Sequence, residues 1–108
     1  MNVEVINTGT ELLLGDIVNT NFQYLSRMLN DAGFNVLYQT TIGDNGDRLL
    51  EVLAIALKRA DIIITTGGLG PTRGDITKEM VARYLDLPLV PSAFWLDKLT
   101  RYFAARHV

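Results

Sequence analysis

The stretch Asp61-Ile62-Ile63-Ile64-Thr65-Thr66-Gly67-Gly68-Leu69-Gly70 decides the fold, because a β-branched run ends in closely spaced glycines. The run predicts a strand over Asp61–Thr66. Its unbroken isoleucines predict burial on both faces, as in a parallel sheet. The glycines predict a tight turn at the carboxyl end of this strand. The stretch therefore favours an α/β fold in which helices follow strands.

The chain before this stretch repeats the order of strand and helix. β-branched residues predict a first strand at Val3–Ile6, and partial alternation predicts a second strand at Phe34–Ile42. Apolar residues at helical spacing predict one helix after Asn19-Thr20, either of which can cap it. They predict another after the turn Gly43–Asp47, which Asp47 would cap. Short connections between alternating elements predict parallel strands.

Two more helices are predicted after the glycines. Asp75 would cap a helix that continues to Leu85, and Ser92 would cap a last helix that runs toward Val108. Large aromatic side chains share one stripe of that last helix, which predicts a core or a subunit interface rather than a platform for stacking bases. These are Trp95, Tyr102 and Phe103.

Composition bounds the class of protein. The chain has 108 residues, which fits one domain over residues 1–108. It has no cysteine and a single histidine, His107, which excludes a thiolate or multi-histidine metal site within one chain. The net charge of −2 gives no electrostatic drive toward nucleic acid, and no apolar run is long enough for a membrane helix. We therefore expect a cytoplasmic protein with neither nucleic-acid nor membrane partners.

Three polar loops are predicted at one edge of the sheet. They follow the three strands and span Thr8–Gly15, Gly43–Asp47 and Gly67–Asp75. In open parallel sheets, ligands bind outside the carboxyl ends of the strands, where the strand order reverses. These loops hold most of the glycines of the chain, which makes this edge the candidate site.

The loop after the third strand has two interpretations. Glycines at positions 67, 68 and 70 allow a tight strand-to-helix turn, but they also let backbone N–H groups approach a phosphate. Thr72 and Thr77 could add hydroxyl donors, and the start of the next helix favours an anion. The spacing matches neither a Walker A sequence nor a dinucleotide fingerprint.

Three carboxylates lie in these loops. Asp75 is either a helix cap or a ligand to a cation or hydroxyl, and Glu11 is either a surface residue or a site residue at the edge of the sheet. Together they could hold Mg²⁺ or orient a water molecule. Asp44 is more typical of a turn than of a site.

Several motifs together resemble a known family. They are Gly9-Thr10-Glu11-Leu12-Leu13-Leu14-Gly15-Asp16, Thr20-Asn21 and Gly67-Gly68-Leu69-Gly70-Pro71-Thr72, followed by Asp75 and Thr77. This set resembles the amino-terminal domain of CinA, the competence/damage-inducible protein, within the molybdopterin-binding MoaB/MogA-like superfamily. The resemblance runs from about Val3 to Leu85 and preserves the order and spacing of the motifs.

The resemblance implies a three-layer α/β/α fold with a mostly parallel sheet, a phosphate-containing nucleotide or pterin ligand, and homo-oligomers. For the intact form it implies a metal-dependent ADP-ribose pyrophosphatase using Mg²⁺ or Co²⁺, with Asp75 and Glu11 as catalytic and metal-binding candidates. The alternatives are a non-catalytic molybdopterin-binding module and a structural oligomerisation domain. The candidate ligand-binding residues are Thr8, Gly9, Thr10, Asp44, Gly67, Gly68, Gly70, Thr72 and Thr77.

Two departures from the family pattern bear on function. The family commonly has two aspartates before the threonine that matches Thr77, and Gly74 stands in place of the first. This replacement removes a possible metal ligand. The family domain also continues beyond the position of Val108, so the chain is expected to be the first part of a larger domain.

Overall fold

The computed structural model describes residues 1–15 and 19–106, which build one three-stranded parallel sheet and five helices. The strands are β1 (Asn2–Thr8), β2 (Asn35–Ile42) and β3 (Ile62–Thr66). The helices are α1 (Thr10–Leu13), α2 (Thr20–Asp31), α3 (Gly46–Arg59), α4 (Thr77–Tyr84) and α5 (Ala93–Ala105). The predicted strands are confirmed, and α1 adds a short helix inside the first polar loop. Asp16 and His107 lie outside the described residues.

The strand order β2-β1-β3 places the first strand of the chain at the centre of the sheet. The chain steps from β1 to one side and then crosses to the other, so the helices α2 and α3 fall on opposite faces. Ile6 of β1 packs in a cluster with residues of α3, while Val3 and Val5 point to the other face. This is the expected three-layer α/β/α arrangement.

The core lies between the sheet and α3. Its buried members are Ile6, Ile42, Leu49, Leu53 and Ala56. The central strand is buried almost along its whole length, whereas every residue of β3 is only half-buried. The prediction of burial on both faces of the isoleucine run is therefore wrong in the described chain, because β3 is an edge strand with a neighbour on one side only.

Helix capping confirms two predictions and corrects two. The Asn19 side chain accepts a hydrogen bond from Phe22 N at the start of α2, and Ser92 accepts one from Trp95 N at the start of α5. Asn45, and not Asp47, caps α3 by accepting from Arg48 N at 3.0 Å. Helix α4 begins at Thr77 without a side-chain cap.

Asp75 does not cap α4 because its carboxylate turns back toward Thr72. The Thr72 hydroxyl donates to Asp75 Oδ2 at 2.6 Å, and Thr72 N donates to the same atom at 3.1 Å. Asp75 also lies two positions before the first residue of the helix. Asp75 therefore holds the loop in shape and does not accept a hydrogen bond from the N–H groups at the start of α4.

Helix α5 is exposed along its length in the described chain. Its aromatic side chains keep about half of their surface exposed, at 56 % for Trp95, 49 % for Tyr102 and 45 % for Phe103. The prediction that they fill a core is therefore wrong, and their role as an interface stays a prediction. None of the described helices has the length and apolar character that crossing a bilayer requires.

Candidate functional site

The three polar loops meet at the carboxyl edge of the sheet, as expected. Gly9 N donates to Ile42 O at 2.9 Å, which joins the loop after β1 to the end of β2. The order β2-β1-β3 puts the reversal of strand order between β1 and β3. The candidate site therefore lies where Thr8 and Thr66 end these two strands.

The turn Gly67-Gly68 is held between the end of β1 and the start of α4. Both glycines have positive φ, at 82° and 67°. A Cβ at Gly67 would lie 2.2 Å from the carbonyl oxygen of Thr8, and one at Gly68 would lie 2.2 Å from Thr77 Oγ1. The buried Thr77 donates from its hydroxyl to Gly67 O at 2.9 Å, and its N–H donates to Gly68 O at 3.0 Å. Only glycine fits either position without a shift of the chain.

The second half of the loop is organised by one carboxylate. Asp75 Oδ2 accepts from the hydroxyl and the N–H of Thr72 and lies 2.7 Å from where a Cβ of Gly70 would stand. The hydrogen bond from the Thr72 hydroxyl, more than any other contact, holds the pKa of Asp75 below its ordinary value. The structure thus brings two predicted site residues, Gly70 and Thr72, together around the carboxylate of a third, Asp75.

A pair of hydrogen bonds between Thr10 and Asp44 joins the loops after β1 and β2. Asp44 N donates to Thr10 Oγ1 at 3.2 Å, and the Thr10 hydroxyl donates to Asp44 Oδ2 at 3.3 Å. A Cβ at Gly74 would lie 3.3 Å from the same carboxylate oxygen. Asp44 therefore connects the two loops. Gly74, at the position where the family pattern has an aspartate, lies next to the carboxylate of Asp44.

Glu11 lies apart from Asp75. Its carboxylate folds back over Gly9, 2.7 Å from where a Cβ of that glycine would stand, and lines a cavity of about 180 Å³. The cavity lies between the end of the sheet and the start of α2. Its lining consists of Thr8, Glu11, Leu12, Asn19, Thr20, Asn21, Thr66 and Gly67. Asp75 is not part of this lining, so the two carboxylates do not share the cavity.

Two asparagines, Asn19 in the lining of this cavity and Asn7 buried behind Thr66, were not predicted as site residues. Asn7 is fully buried, its Oδ1 accepts from the Thr66 hydroxyl at 2.7 Å, and its Nδ2 finds no partner among the described residues. Asn19 Nδ2 is likewise buried and unpaired within that part of the chain, although its Oδ1 caps α2. The available signal was Asn7 itself, an amide that follows the β-branched run and lies one residue before Thr8.

The helix N-terminus that faces the cavity belongs to α2. Thr20 and Asn21, its first two residues, line the cavity. One N–H group is already bonded at the start of each helix, that of Phe22 to Asn19 in α2 and that of Thr77 to Gly68 O in α4. Because a helix N-terminus attracts anions, the start of α2 brings a positive end to this cavity.

The described residues do not build a metal centre by themselves. Among residues 1–15 and 19–106, no three His, Asp or Glu side chains lie close enough to share an ion. Asp75 Oδ2 is already held by two donors from Thr72, and Glu11 lies at a different cavity. The predicted Glu11–Asp75 metal pair therefore lacks the clustered oxygen ligands that a hard cation prefers.

Comparison with protein-family models gives a match over residues 4–108 to the family described as "Probable molybdopterin binding domain". The chain belongs to this family. The match covers β2, β3, most of β1 and the glycine loop, so the family assignment and the candidate edge rest on the same residues.

Relatives confirm the resemblance to CinA. A competence-damage inducible protein of Caldicellulosiruptor saccharolyticus is 55 % identical over 108 residues, covering 100 % of this chain and 26 % of the relative. The crystal structure of CinA from Thermoplasma acidophilum superimposes with a TM-score of 0.87 at 30 % identity, covering 95 % of this chain and 61 % of the other. The chain spans about a quarter of the length of the curated relatives it matches.

The wider superfamily is represented by a tungsten-cofactor-synthesising MoaB from Pyrococcus furiosus. Its structure superimposes with a TM-score of 0.70 at 28 % identity, covering 76 % of this chain and 51 % of that protein. The fold is therefore that of the MoaB/MogA-like proteins, and the chain is a CinA-like member of the molybdopterin-binding domain family.

Proposed function

We propose that this domain binds a phosphate-bearing pterin of the molybdopterin type at the carboxyl edge of β1 and β3. The observation that carries the proposal is the polar cavity of about 180 Å³ at the reversal of strand order, which is lined by Asn19, whose buried Nδ2 has no partner among the described residues. A buried donor without a partner is costly, and a ligand that accepts its hydrogen bond removes that cost. The family description points to the same class of ligand.

The chemistry of the cavity favours an anionic, acceptor-rich ligand. The start of α2, where Thr20 and Asn21 line the cavity, brings the positive end of the helix dipole to it. Gly67, which lines the cavity, adds no side-chain bulk to its wall. The Glu11 carboxylate is the acidic group of the cavity, and it can accept from the amino and ring N–H groups of a pterin.

Anaerobic calorimetry of the chain with molybdopterin tests the proposal. We expect binding to the unmodified chain and a loss of affinity of about tenfold or more in Asn19→Asp, because this substitution keeps the oxygen that caps α2 but replaces the unpaired Nδ2 donor by a charge that repels an anion. Asp31→Asn is the matched control, since Asp31 ends α2 at the opposite edge of the sheet, and it should bind normally.

The same titration with a dephosphorylated pterin separates the two halves of the ligand. Weaker binding of this compound than of molybdopterin supports a phosphate subsite, and equal binding contradicts it. If the folded chain gives no heat with molybdopterin, the proposed function is wrong.

Hydrolysis of ADP-ribose to AMP and ribose 5-phosphate, by the longer form of the domain, is a second candidate. Asp75 supports it, because Thr72 holds this carboxylate in its ionised form beside the glycine loop. The described residues supply no metal centre, so no metal-assisted step is assigned to them.

The test for hydrolysis incubates ADP-ribose with Mg²⁺ or Co²⁺ and either this chain or the full-length Caldicellulosiruptor relative. Release of AMP that is lost in Asp75→Asn, and retained in Asp31→Asn, supports the hydrolase. No release of AMP by either protein with either metal overturns it.

A further inference from the structure

One polar side chain lies inside the most buried strand of the sheet. Asn7 of β1 is fully buried, and the register places it between Thr41 of β2 and Thr66 of β3, with all three side chains on one face. Its Nδ2 has no partner among the described residues. Because a buried donor without a partner destabilises a fold, the stability of the strand does not account for an amide at this position.

The Asn7 side chain determines where the Thr66 hydroxyl proton points. The Thr66 hydroxyl donates to Asn7 Oδ1 at 2.7 Å. A hydroxyl has a single proton and two lone pairs. Since Asn7 holds that proton, the Thr66 oxygen can only accept a hydrogen bond from a further group. Thr66 lines the polar cavity of about 180 Å³ and Asn7 does not, so Asn7 acts on the cavity only through Thr66.

The polar cavity has two sides of different chemistry. On the side of the sheet and its first loop, the Glu11 carboxylate and the Thr66 oxygen are acceptors that offer no proton. On the side of α2, the unpaired Nδ2 of Asn19 and the positive end of the helix dipole favour acceptors and anions. A ligand that fits both sides therefore carries N–H groups at one end and a negative charge at the other.

We propose that Asn7 is a positioning residue that makes Thr66 an acceptor only, and that the cavity therefore selects an amino-substituted heterocycle over the analogue with a carbonyl at the same position. The selection rests on the proposed binding of a phosphate-bearing pterin. A pterin offers an amino group and an adjacent ring N–H to Thr66 and Glu11. In the corresponding lumazine a carbonyl replaces the amino group and meets lone pairs with no proton between them.

Calorimetry with two matched ligands tests the selection. The ligands are the phosphate monoesters of 6-hydroxymethylpterin and 6-hydroxymethyllumazine, which carry the same phosphate and differ in the group at C2. We expect the unmodified chain to bind the pterin ester about tenfold or more tightly than the lumazine ester, because one buried hydrogen bond is replaced by two facing acceptors.

Asn7→Leu tests whether Asn7 is responsible for the selection. Leucine keeps the branched shape and removes the acceptor, so the Thr66 proton is free to turn toward the ligand. We expect the preference for the pterin ester to fall below about threefold, while the melting temperature stays the same or rises because an unpaired buried donor has been removed. A merely structural role of Asn7 would instead lower the melting temperature and leave the preference intact.

Thr41→Val is the matched control, because Thr41 flanks Asn7 on the other side of the central strand and is not in the cavity lining. This variant should keep the preference of the unmodified chain. Thr66→Ser retains the hydroxyl and should also keep it, whereas Thr66→Val lacks the hydroxyl and should lose it. The two Thr66 variants test the same hydrogen bond without a change in the central strand.

The outcomes distinguish the role of Asn7 from pterin binding itself. If the folded chain binds neither ester, the proposed function is wrong and the role of Asn7 falls with it. If the unmodified chain binds both esters equally, or binds the lumazine ester more tightly, the role of Asn7 is wrong while pterin binding stands. A preference that is unchanged in Asn7→Leu or in Thr66→Val also overturns that role.

Discussion

Single residues at the turn after β3 determine how closely the backbone packs at the candidate site. Gly67 and Gly68 combine positive φ with no room for a side chain, whereas Gly33 has positive φ in open space. A glycine pattern in a sequence indicates conformational freedom but does not tell these two situations apart. The distinction depends on Thr8 and Thr77, which lie far from the glycines in sequence and contact them only in the fold.

We expect Gly67→Ala to destabilise the domain by about 3 kcal/mol or more, because the new Cβ meets the carbonyl of a central strand that cannot move aside. Gly33→Ala, with similar backbone strain and no contact, should cost about 1 kcal/mol. Urea denaturation of both variants measures the difference. Equal losses would show that strain alone, without the contact at Thr8, accounts for the effect.

The Thr72–Asp75 pair predicts a pH-dependent contribution to stability. Because the folded-state pKa of Asp75 lies below its ordinary value, the pair stabilises the fold above that ordinary value, near pH 4. The contribution is lost as the pH falls through the folded-state pKa. Thr72→Val should therefore lower the melting temperature at neutral pH, and this loss should vanish in strong acid.

Thermal melts across pH test this prediction. Thr100→Val is the control, since its hydroxyl donates to the Leu96 carbonyl and involves no ionisable group. The effect of that substitution should not depend on pH. A pH-independent loss in Thr72→Val would mean that its hydroxyl acts on loop geometry and not on the charge of Asp75.

At the level of elements, the central strand and α3 are joined by an ion pair as well as by the core. Glu4 is completely buried, and Arg59 at the end of α3 donates to its two oxygens at 2.8 and 3.1 Å. The guanidinium also lies 3.5 Å from the ring centre of Tyr38 on β2. Glu4 is thus an acidic residue in the middle of the most buried strand, and its pairing fixes where α3 ends against the sheet.

Arg59→Ala should destabilise the fold clearly, because the Glu4 carboxylate is then buried without its cation. The double variant Glu4→Leu/Arg59→Leu should recover most of that loss, since no buried charge remains. Arg101→Ala, which breaks an exposed pair on α5, should change stability by less than about 0.5 kcal/mol. Chemical denaturation of the three variants measures these differences, and a double variant as unstable as Arg59→Ala would refute the explanation.

At the scale of the whole molecule, much of the architecture followed from local patterns. The alternation of strands and helices, the parallel sheet and the meeting of three loops at one edge were predicted from β-branched runs, helical spacing and glycines. The exposure of β3 was not, because an isoleucine run reads the same in a central strand as in an edge strand. Asn7 and the cavity beside α2 were also missed, since they depend on residues that only the fold brings together.

The central position of β1 has a consequence for folding during synthesis on the ribosome. The residues of β1 leave the ribosome before those of β3, yet these two strands pair Val3 with Ile62. At synthesis rates of about 5–20 residues per second, the apolar first strand waits on the order of 3–12 s before that neighbour has been made. During this interval the apolar strand β1 has an unpaired edge, at which other chains can bind. We therefore expect the risk of aggregation, and the benefit of a chaperone, to be highest before β3 has been synthesised.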